Sequence, residues 1–288
     1  MVSQRFPWPV RKEPPIEPNM ADLNVIPVSS AEDPRIEDYV SVRERDLTGR
    51  KGKFIVEGKV TLDVFIRRSR FDVDSVFLER SRIDILGDLL KSLPPTVPIY
   101  VAHQTVMDQI VGFPIHRGIL ACGRKDSAPP LDLWIEQLNT ASTLVLCVGL
   151  SNHDNTGAVF RNAAALGADG VILDDESCDP LYRKSIRVSA GTALWLPFHH
   201  GTKANAAMDA LSAAGFDIWT LTPGKASQSL YTAPRPEKLC VVLGPEGPGL
   251  SDELIAKGQP IFIPMAKTVD SLNVATSLAI TLSHRLSG

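Results

Sequence analysis

The second half of the chain repeats one pattern: a short, almost wholly apolar run, a polar loop, then a segment with helical periodicity. The apolar runs fall at 144–148, 170–173, 216–221, 239–243 and 261–263, each of a length that suits a strand better than a buried helix. Helical patterns lie between and after them, at about 158–166, 204–214, 252–256 and 273–286. Continuous apolar runs mark strands buried on both faces. Strand–helix alternation in turn requires crossover connections, which predicts a mainly parallel sheet covered by helices on both sides. In such a sheet ligands collect beyond the carboxyl ends of the strands, so the residues just after each run are the functional candidates.

Three of these loops are unusual. After 144–148 comes Ser151-Asn152-His153-Asp154-Asn155-Thr156-Gly157, leading into a helix that carries Arg161 and Asn162. A helix start offers free N–H groups and a dipole that favour an anion, and the planar guanidinium of Arg161 suits a phosphate. After 239–243 comes Gly244-Pro245-Glu246-Gly247-Pro248-Gly249-Leu250, three glycines and two prolines around one carboxylate. Glycines let backbone approach a ligand, while prolines stiffen the loop. After 261–263 come Pro264-Met265 and then Val269-Asp270-Ser271-Leu272-Asn273-Val274-Ala275 at the mouth of an apolar C-terminal helix, with Ser271 as the expected N-cap.

Taken singly, a tight turn, a helix cap and a solvated arginine would explain these features; together they narrow the choice. A dinucleotide-binding Rossmann protein needs G-x-G-x-x-G between its first strand and helix. Here residues 151–157 hold only Gly157, no G-x-G-x-x-G follows the first run, and the glycine-rich segment comes late and is spaced G-x-x-G-x-G. P-loop chemistry fails as well, because no glycine run ends in Gly-Lys-Ser/Thr.

In this order and spacing, the three segments resemble the signature of the SpoU branch of the SPOUT RNA methyltransferases, the group that includes tRNA and rRNA ribose 2′-O-methyltransferases. Residues 155–163 are similar to its first motif, 243–250 to its second, and 263–265 with 271–275 to its third. Thr156 departs from the pattern, standing where an aliphatic residue is usual. The resemblance covers about 140–288 strongly. More loosely it covers 50–123, which are similar to the small ribosomal-protein-like substrate-binding domain that precedes the catalytic domain in many members.

The resemblance implies an α/β fold whose C-terminal segment threads a loop to make a deep trefoil knot, an obligate homodimer, S-adenosylmethionine as cofactor, and structured RNA, rRNA or tRNA, as substrate. By the same resemblance, Leu221, Thr222, Gly244, Ile263, Met265, Ser271 and Leu272 contact the cofactor, largely through backbone atoms. Arg161, Asn155, Glu246 and Asn273 are the expected catalytic group. An arginine with a pKa above about 12 is a poor general base at neutral pH, so Arg161 reads as a residue that grips phosphate and orients the hydroxyl. Asn155, Glu246 and Asn273 position substrate and loops, with Glu246 an alternative proton acceptor. No metal is required.

Ahead of this domain, 36–124 alternate apolar runs at 54–56, 73–78, 97–101 and 118–121 with helix-like segments such as 83–93, a small α/β domain. Residues 125–139 begin without apolar periodicity and carry Pro129-Pro130, which marks a linker, so the catalytic domain is placed at 140–288. Residues 1–35 hold seven prolines and little periodicity and are expected to form a flexible tail. The net charge of −3 weighs mildly against a polyanionic partner, but residues 1–125 hold 19 Lys/Arg against 17 Asp/Glu, and 126–288 hold 11 against 16. Arg43, Arg45, Arg50, Lys51 and Lys53, followed by Arg67, Arg68 and Arg70, make a cluster that can track a phosphate backbone.

No apolar stretch approaches the roughly 20 residues of a membrane span. The opening Met1-Val2-Ser3-Gln4-Arg5-Phe6-Pro7-Trp8-Pro9 lacks a signal-peptide core, so a cytoplasmic location is expected. Cys122, Cys147, Cys178 and Cys240 are widely spaced in or near apolar runs and read as reduced and structural. His199-His200 has no third ligand at useful spacing, and His153 lies near the proposed site. Two other readings are a non-catalytic RNA-binding or ribosome-assembly factor that kept the fold, which would lack Arg161 or an intact 244–250 loop, and a small-molecule enzyme, which would leave the basic front domain unexplained.

Overall fold

The structure, a computed structural model, describes residues 23–40, 47–49, 51–111, 118–125, 127–138, 143–223, 227–266 and 268–287. These group into two units, one of residues up to 125 together with Leu181–Trp195, the other Ser127–Pro180 and the residues from Leu196 onward.

In the first unit the described elements are β1 (Val25–Pro27), β2 (Lys53–Glu57), α1 (Lys59–Arg68), β3 (Asp72–Glu79), α2 (Arg82–Leu90), β4 (Ile99–Ala102), α3 (Gln104–Val111) and β5 (Ile119–Arg124). The sheet order is β1-β4-β3-β5-β2. The first two pairings are parallel and the last two antiparallel. All four predicted strands are present, and β1 was not foreseen. Residues 1–22 lie outside the described residues, but 23–35, expected to belong to the tail, supply β1 and enter a 3-10 turn, Pro34–Tyr39. Ile36 and Tyr39 are buried in the core with Phe77, and the Tyr39 hydroxyl lies 2.7 Å from Ser75 Oγ. Proline hid this segment from a periodicity reading, although Pro34 sits in a first turn, where its missing N–H costs nothing.

Two members of the predicted basic cluster change character. Arg43, Arg45 and Arg50 lie outside the described residues. Lys51 pairs with Glu37 and Asp38 at 3.0 and 2.8 Å, and Lys53 with Asp38 and Asp74 at 2.6 and 2.9 Å. Burial opposes the Lys53 ammonium, but the hydrogen bonds it donates to the two carboxylates outweigh this and hold its pKa above the ordinary value. These two lysines are structural.

The second unit holds α4 (Leu131–Gln137), β6 (Thr143–Cys147), α5 (His153–Ala165), β7 (Gly170–Leu173), β8 (Phe198–His200), α7 (Ala204–Ala213), β9 (Asp217–Leu221), β10 (Gln228–Ser229), β11 (Leu239–Leu243), α8 (Asp252–Ala256), β12 (Gln259–Phe262) and α9 (Val274–Leu286). Helix α6 (Arg183–Val188) and a 3-10 turn, Thr192–Leu194, belong to the first unit, so the expected domain at 140–288 is interrupted. Strands run in the order β10-β12-β9-β11-β6-β7-β8, every pair parallel. The mixed α/β architecture with a parallel sheet is as predicted. Strands β6, β7 and β11 are buried at every position, the physical meaning of their continuous apolar runs. Burial also pushes the Cys147 and Cys240 thiols far up from their ordinary range, which keeps them protonated and inert.

The expected linker carries α4. Leu131, Trp134, Ile135 and Leu138, spaced i, i+3, i+4 and i+7, are buried in the core with Leu144, Leu146 and Leu211. Pro130 stands at the N-cap rather than in an extended connection. Among the described residues no helix is long and apolar enough to cross a membrane.

Candidate active site

Because the strands are parallel, the loops leaving β9, β11 and β12 open at the same edge of the sheet. Together they enclose a cavity of about 700 Å³. Leu221, Thr222, Gly244, Ile263, Met265, Ser271 and Leu272 all line it, as do Glu246 and Asn273. The volume and the mostly apolar wall, to which Leu243, Leu250, Ile261 and Val274 add, are those of a small-molecule site with a few orienting polar groups.

Gly244 makes this wall possible. A Cβ there would stand 2.7 Å from the Leu250 backbone nitrogen and 3.0 Å from the Gly249 carbonyl carbon, so the loop closes on itself only if residue 244 has no side chain.

Three predicted polar residues from distant parts of the chain meet beside the cavity. Asn155 Nδ2 donates to Glu246 Oε1 at 2.6 Å, and Asn273 Nδ2 donates to Asn155 Oδ1 at 2.9 Å and to Glu246 Oε1 at 3.5 Å. One carboxylate oxygen thus accepts from two amides and ties α5, the glycine loop and the start of α9 into one triangle. Asn273 also closes the end of its own helix. Its Oδ1 accepts from the Ala275 and Thr276 N–H groups, so Asn273, and not Ser271, is the N-cap of α9. Its placement immediately before Val274 decides this, because a cap must accept from the second or third helical N–H. Ser271 is left to line the cavity. Asn162, two turns along α5 from Asn155, donates to the Ala275 carbonyl at 2.8 Å and holds the two helices in register.

Arg161 is not drawn into this triangle. It is exposed on α5, does not line the cavity, and forms no hydrogen bond or ion pair among the described residues. Its guanidinium remains available to a group from outside the chain.

Residues 142–283 match the SpoU rRNA Methylase family. An uncharacterized tRNA/rRNA methyltransferase of Mycobacterium tuberculosis is 32% identical over 271 residues, covering 91% of this chain and 92% of its own length. This chain belongs to the SpoU family. The Escherichia coli 23S rRNA (guanosine-2′-O-)-methyltransferase RlmB is 29% identical over 241 residues, 79% of this chain and 96% of RlmB. The AdoMet-bound rRNA methyltransferase of Sinorhizobium meliloti shares the fold, with a TM-score of 0.73 at 20% identity over 91% of this chain and 97% of that one.

This SpoU family member supports its first loop with residues that the motif reading missed. Gly149, at φ +61°, donates its N–H to both oxygens of Asp174, at 3.0 and 3.1 Å. Ser177 Oγ donates to Asp174 Oδ1 at 2.6 Å and accepts the Leu150 N–H at 2.9 Å. Asp174 is 2% exposed, and the clip fixes Gly149 where its α-carbon faces Pro245, next to Glu246. A buried carboxylate just after β7 was the available signal; its partners were visible only once the loops met. Replacing Asp174 with alanine leaves the Gly149 N–H without an acceptor and the Ser177 hydroxyl with only the Cys147 carbonyl, 3.4 Å away. Urea unfolding is expected to show a loss of about 1–3 kcal/mol, with Asp174→Asn costing less because one acceptor oxygen stays. An unchanged midpoint for the alanine variant would contradict this role.

His199 and His200 turn to different partners, Thr202 Oγ1 at 2.8 Å and the Ser177 carbonyl at 3.0 Å. The one group that could share a metal ion among the described residues is Asp38, Asp74 and Cys122. There the Lys53 ammonium already pairs with both carboxylates.

Proposed function

We propose that this chain transfers a methyl group from S-adenosylmethionine to a ribose 2′-hydroxyl of structured RNA. The observation that carries the reading is the cavity at the carboxyl ends of β9, β11 and β12, whose wall holds all seven residues expected to contact the cofactor. Its residues fit that molecule: apolar side chains suit an adenine ring, and loops rich in backbone N–H and C=O groups suit its ribose and amino-acid ends. Bound there, S-adenosylmethionine supplies a sulfonium methyl group for in-line attack.

The chain's own part is to place the attacking oxygen and to offer the Glu246 carboxylate as acceptor of the hydroxyl proton, while the methyl–sulfur bond breaks and leaves a neutral thioether. Glu246 Oε1 is held by Asn155 and Asn273, so the triangle keeps the glycine loop and α9 in fixed relation and gives the substrate a rigid edge to meet. Arg161, exposed and without a partner of its own, grips a phosphate of the substrate and directs the neighbouring hydroxyl. A residue offered away from its own cavity also suits a site completed by a second copy, and we take the working form to be a homodimer. We likewise take the C-terminal segment to be knotted. In support, β12 enters the sheet between β9 and β10 after the chain has crossed to β11. Cytoplasmic rRNA or tRNA is the substrate class.

The test is methylation of total RNA from a strain deleted for this protein, with purified protein, labelled S-adenosylmethionine and nucleoside analysis. A labelled 2′-O-methylnucleoside is the expected product. A labelled base-methylated nucleoside, or no label despite measurable cofactor binding across rRNA and tRNA fractions, would overturn the reading. A specific observation stands against a purely RNA-binding factor of this fold: both Arg161 and an intact glycine loop are present.

A further inference from the structure

The first unit takes Leu181–Trp195 out of the second half of the sequence and lays it along α1. Several contacts fix the seam. A Cβ at Gly191 would stand 2.9 Å from Val64 Cγ1, the Arg70 N–H donates to the Leu194 carbonyl at 3.1 Å, and the Arg68 guanidinium lies 4.5 Å over the Trp195 ring. At the other end of α1, Arg183 and Arg187 both approach Glu57, at 3.8 and 3.5 Å.

The charge brought together here is one-sided. Residues 57–70 and 181–195 hold seven Lys/Arg against two Asp/Glu, whereas the rest of the chain holds 23 against 31. Lys59, Arg67, Arg68, Lys184 and Arg187 are exposed. Neither stretch stands out alone: the first was part of a longer cluster whose Lys51 and Lys53 prove to be structural, and the second lies in the acidic half of the chain.

We infer that the seam between α1 and the 181–195 segment is a binding surface for the phosphate backbone of RNA, resting on the reading that RNA is the substrate. Arg67, paired with Asp63 at 3.0 Å, and Arg187, at 3.5 Å from Glu57, stay half exposed in those pairs, so with Lys59, Arg68 and Lys184 they can present charge to successive phosphates. Arg68, stacked on Trp195, is held in place and loses less freedom on binding than an unsupported side chain. The surface reads charge and not sequence, so it supplies affinity while the cavity in the second unit supplies the chemistry.

The test is fluorescence anisotropy of a fluorescein-labelled RNA hairpin across a salt series, with S-adenosylmethionine affinity measured in parallel by calorimetry. The variant combines Arg67→Gln, Lys184→Gln and Arg187→Gln. The control removes as many charges elsewhere, with Lys91→Gln, Lys203→Gln and Lys257→Gln. The seam variant is expected to bind RNA about ten- to a hundredfold more weakly at low salt and to flatten the slope of log K against log salt by about 2, with the control near wild type. Wild-type affinity and slope in the seam variant, or an equal loss in the control, would overturn the inference. The calorimetry separates the two readings: wild-type protein that binds RNA through the seam but takes up no S-adenosylmethionine would sink the proposed reaction and leave this surface standing.

Discussion

Replacing Arg161 with alanine is expected to lower the rate of methyl transfer by about 10²–10³-fold while leaving S-adenosylmethionine affinity unchanged. The magnitude is that of removing one pre-placed donor from a charge-stabilising site. Separation of the two effects follows from the geometry: Arg161 is exposed on α5, outside the cavity lining, with no internal bond to lose. Fold stability should therefore be preserved. Arg161→Lys should recover only part of the rate, since an ammonium lacks the planar fork that holds a phosphate by two bonds. Single-turnover kinetics with saturating cofactor, beside calorimetric titration of the cofactor, reads both quantities. Equal loss of cofactor affinity and rate would place Arg161 in the cofactor pocket instead; full activity would remove it from the mechanism.

The second large effect lies at Gly244. With only 2.7 Å between a Cβ at this position and the Leu250 nitrogen, even alanine forces the loop 244–250 open. Backbone supplies the clash, so no side-chain rotation relieves it. Overpacking of this kind costs about 1–3 kcal/mol. Because the loop is a wall of the cavity, the cost falls on the bound state, and Gly244→Ala should weaken S-adenosylmethionine binding about ten- to a hundredfold. Circular dichroism should show an intact fold, since the strands β9, β11 and β12 do not depend on the loop's closure. Gly247 offers the comparison: it sits at φ +90° with nothing within 4 Å of an added Cβ, so Gly247→Ala strains the backbone without a collision and should cost less. A Gly244→Ala protein with undiminished affinity would show that the wall is not part of the cofactor site.

Arg161 and Gly244 also show how differently two residues can be legible in a sequence. Both were found from motif spacing. The clash that makes Gly244 irreplaceable, however, is a contact between residues six positions apart in a closed loop. The outward placement of Arg161 depends on which face of α5 packs against α9.

Local physics made much of the second unit readable in one dimension. Runs such as 239–243 are apolar throughout because β11 is covered on both faces, and the helices between such runs follow from the need to cross back to a parallel neighbour. The edge strands β8 and β10, three and two residues long, were missed because so few residues carry no periodic signal. Helix α4 was misread as a linker since its proline pair outweighed a seven-residue amphipathic stretch. Prolines likewise concealed β1, whose place depends on pairing with β4, far along the chain.

The sequence by itself determined the α/β class, the strands that carry the site and the loops after β11 and β12 that line it, because each rests on interactions among near neighbours. Tertiary structure alone decided which side chains meet. The Asn155–Glu246–Asn273 triangle joins residues up to 118 positions apart, the cap of α9 passed from Ser271 to Asn273, Asp174 was recruited to clip Gly149, and 181–195 left the second half for the first unit. Such pairings depend on where the sheet delivers each loop, and no local propensity encodes that distance.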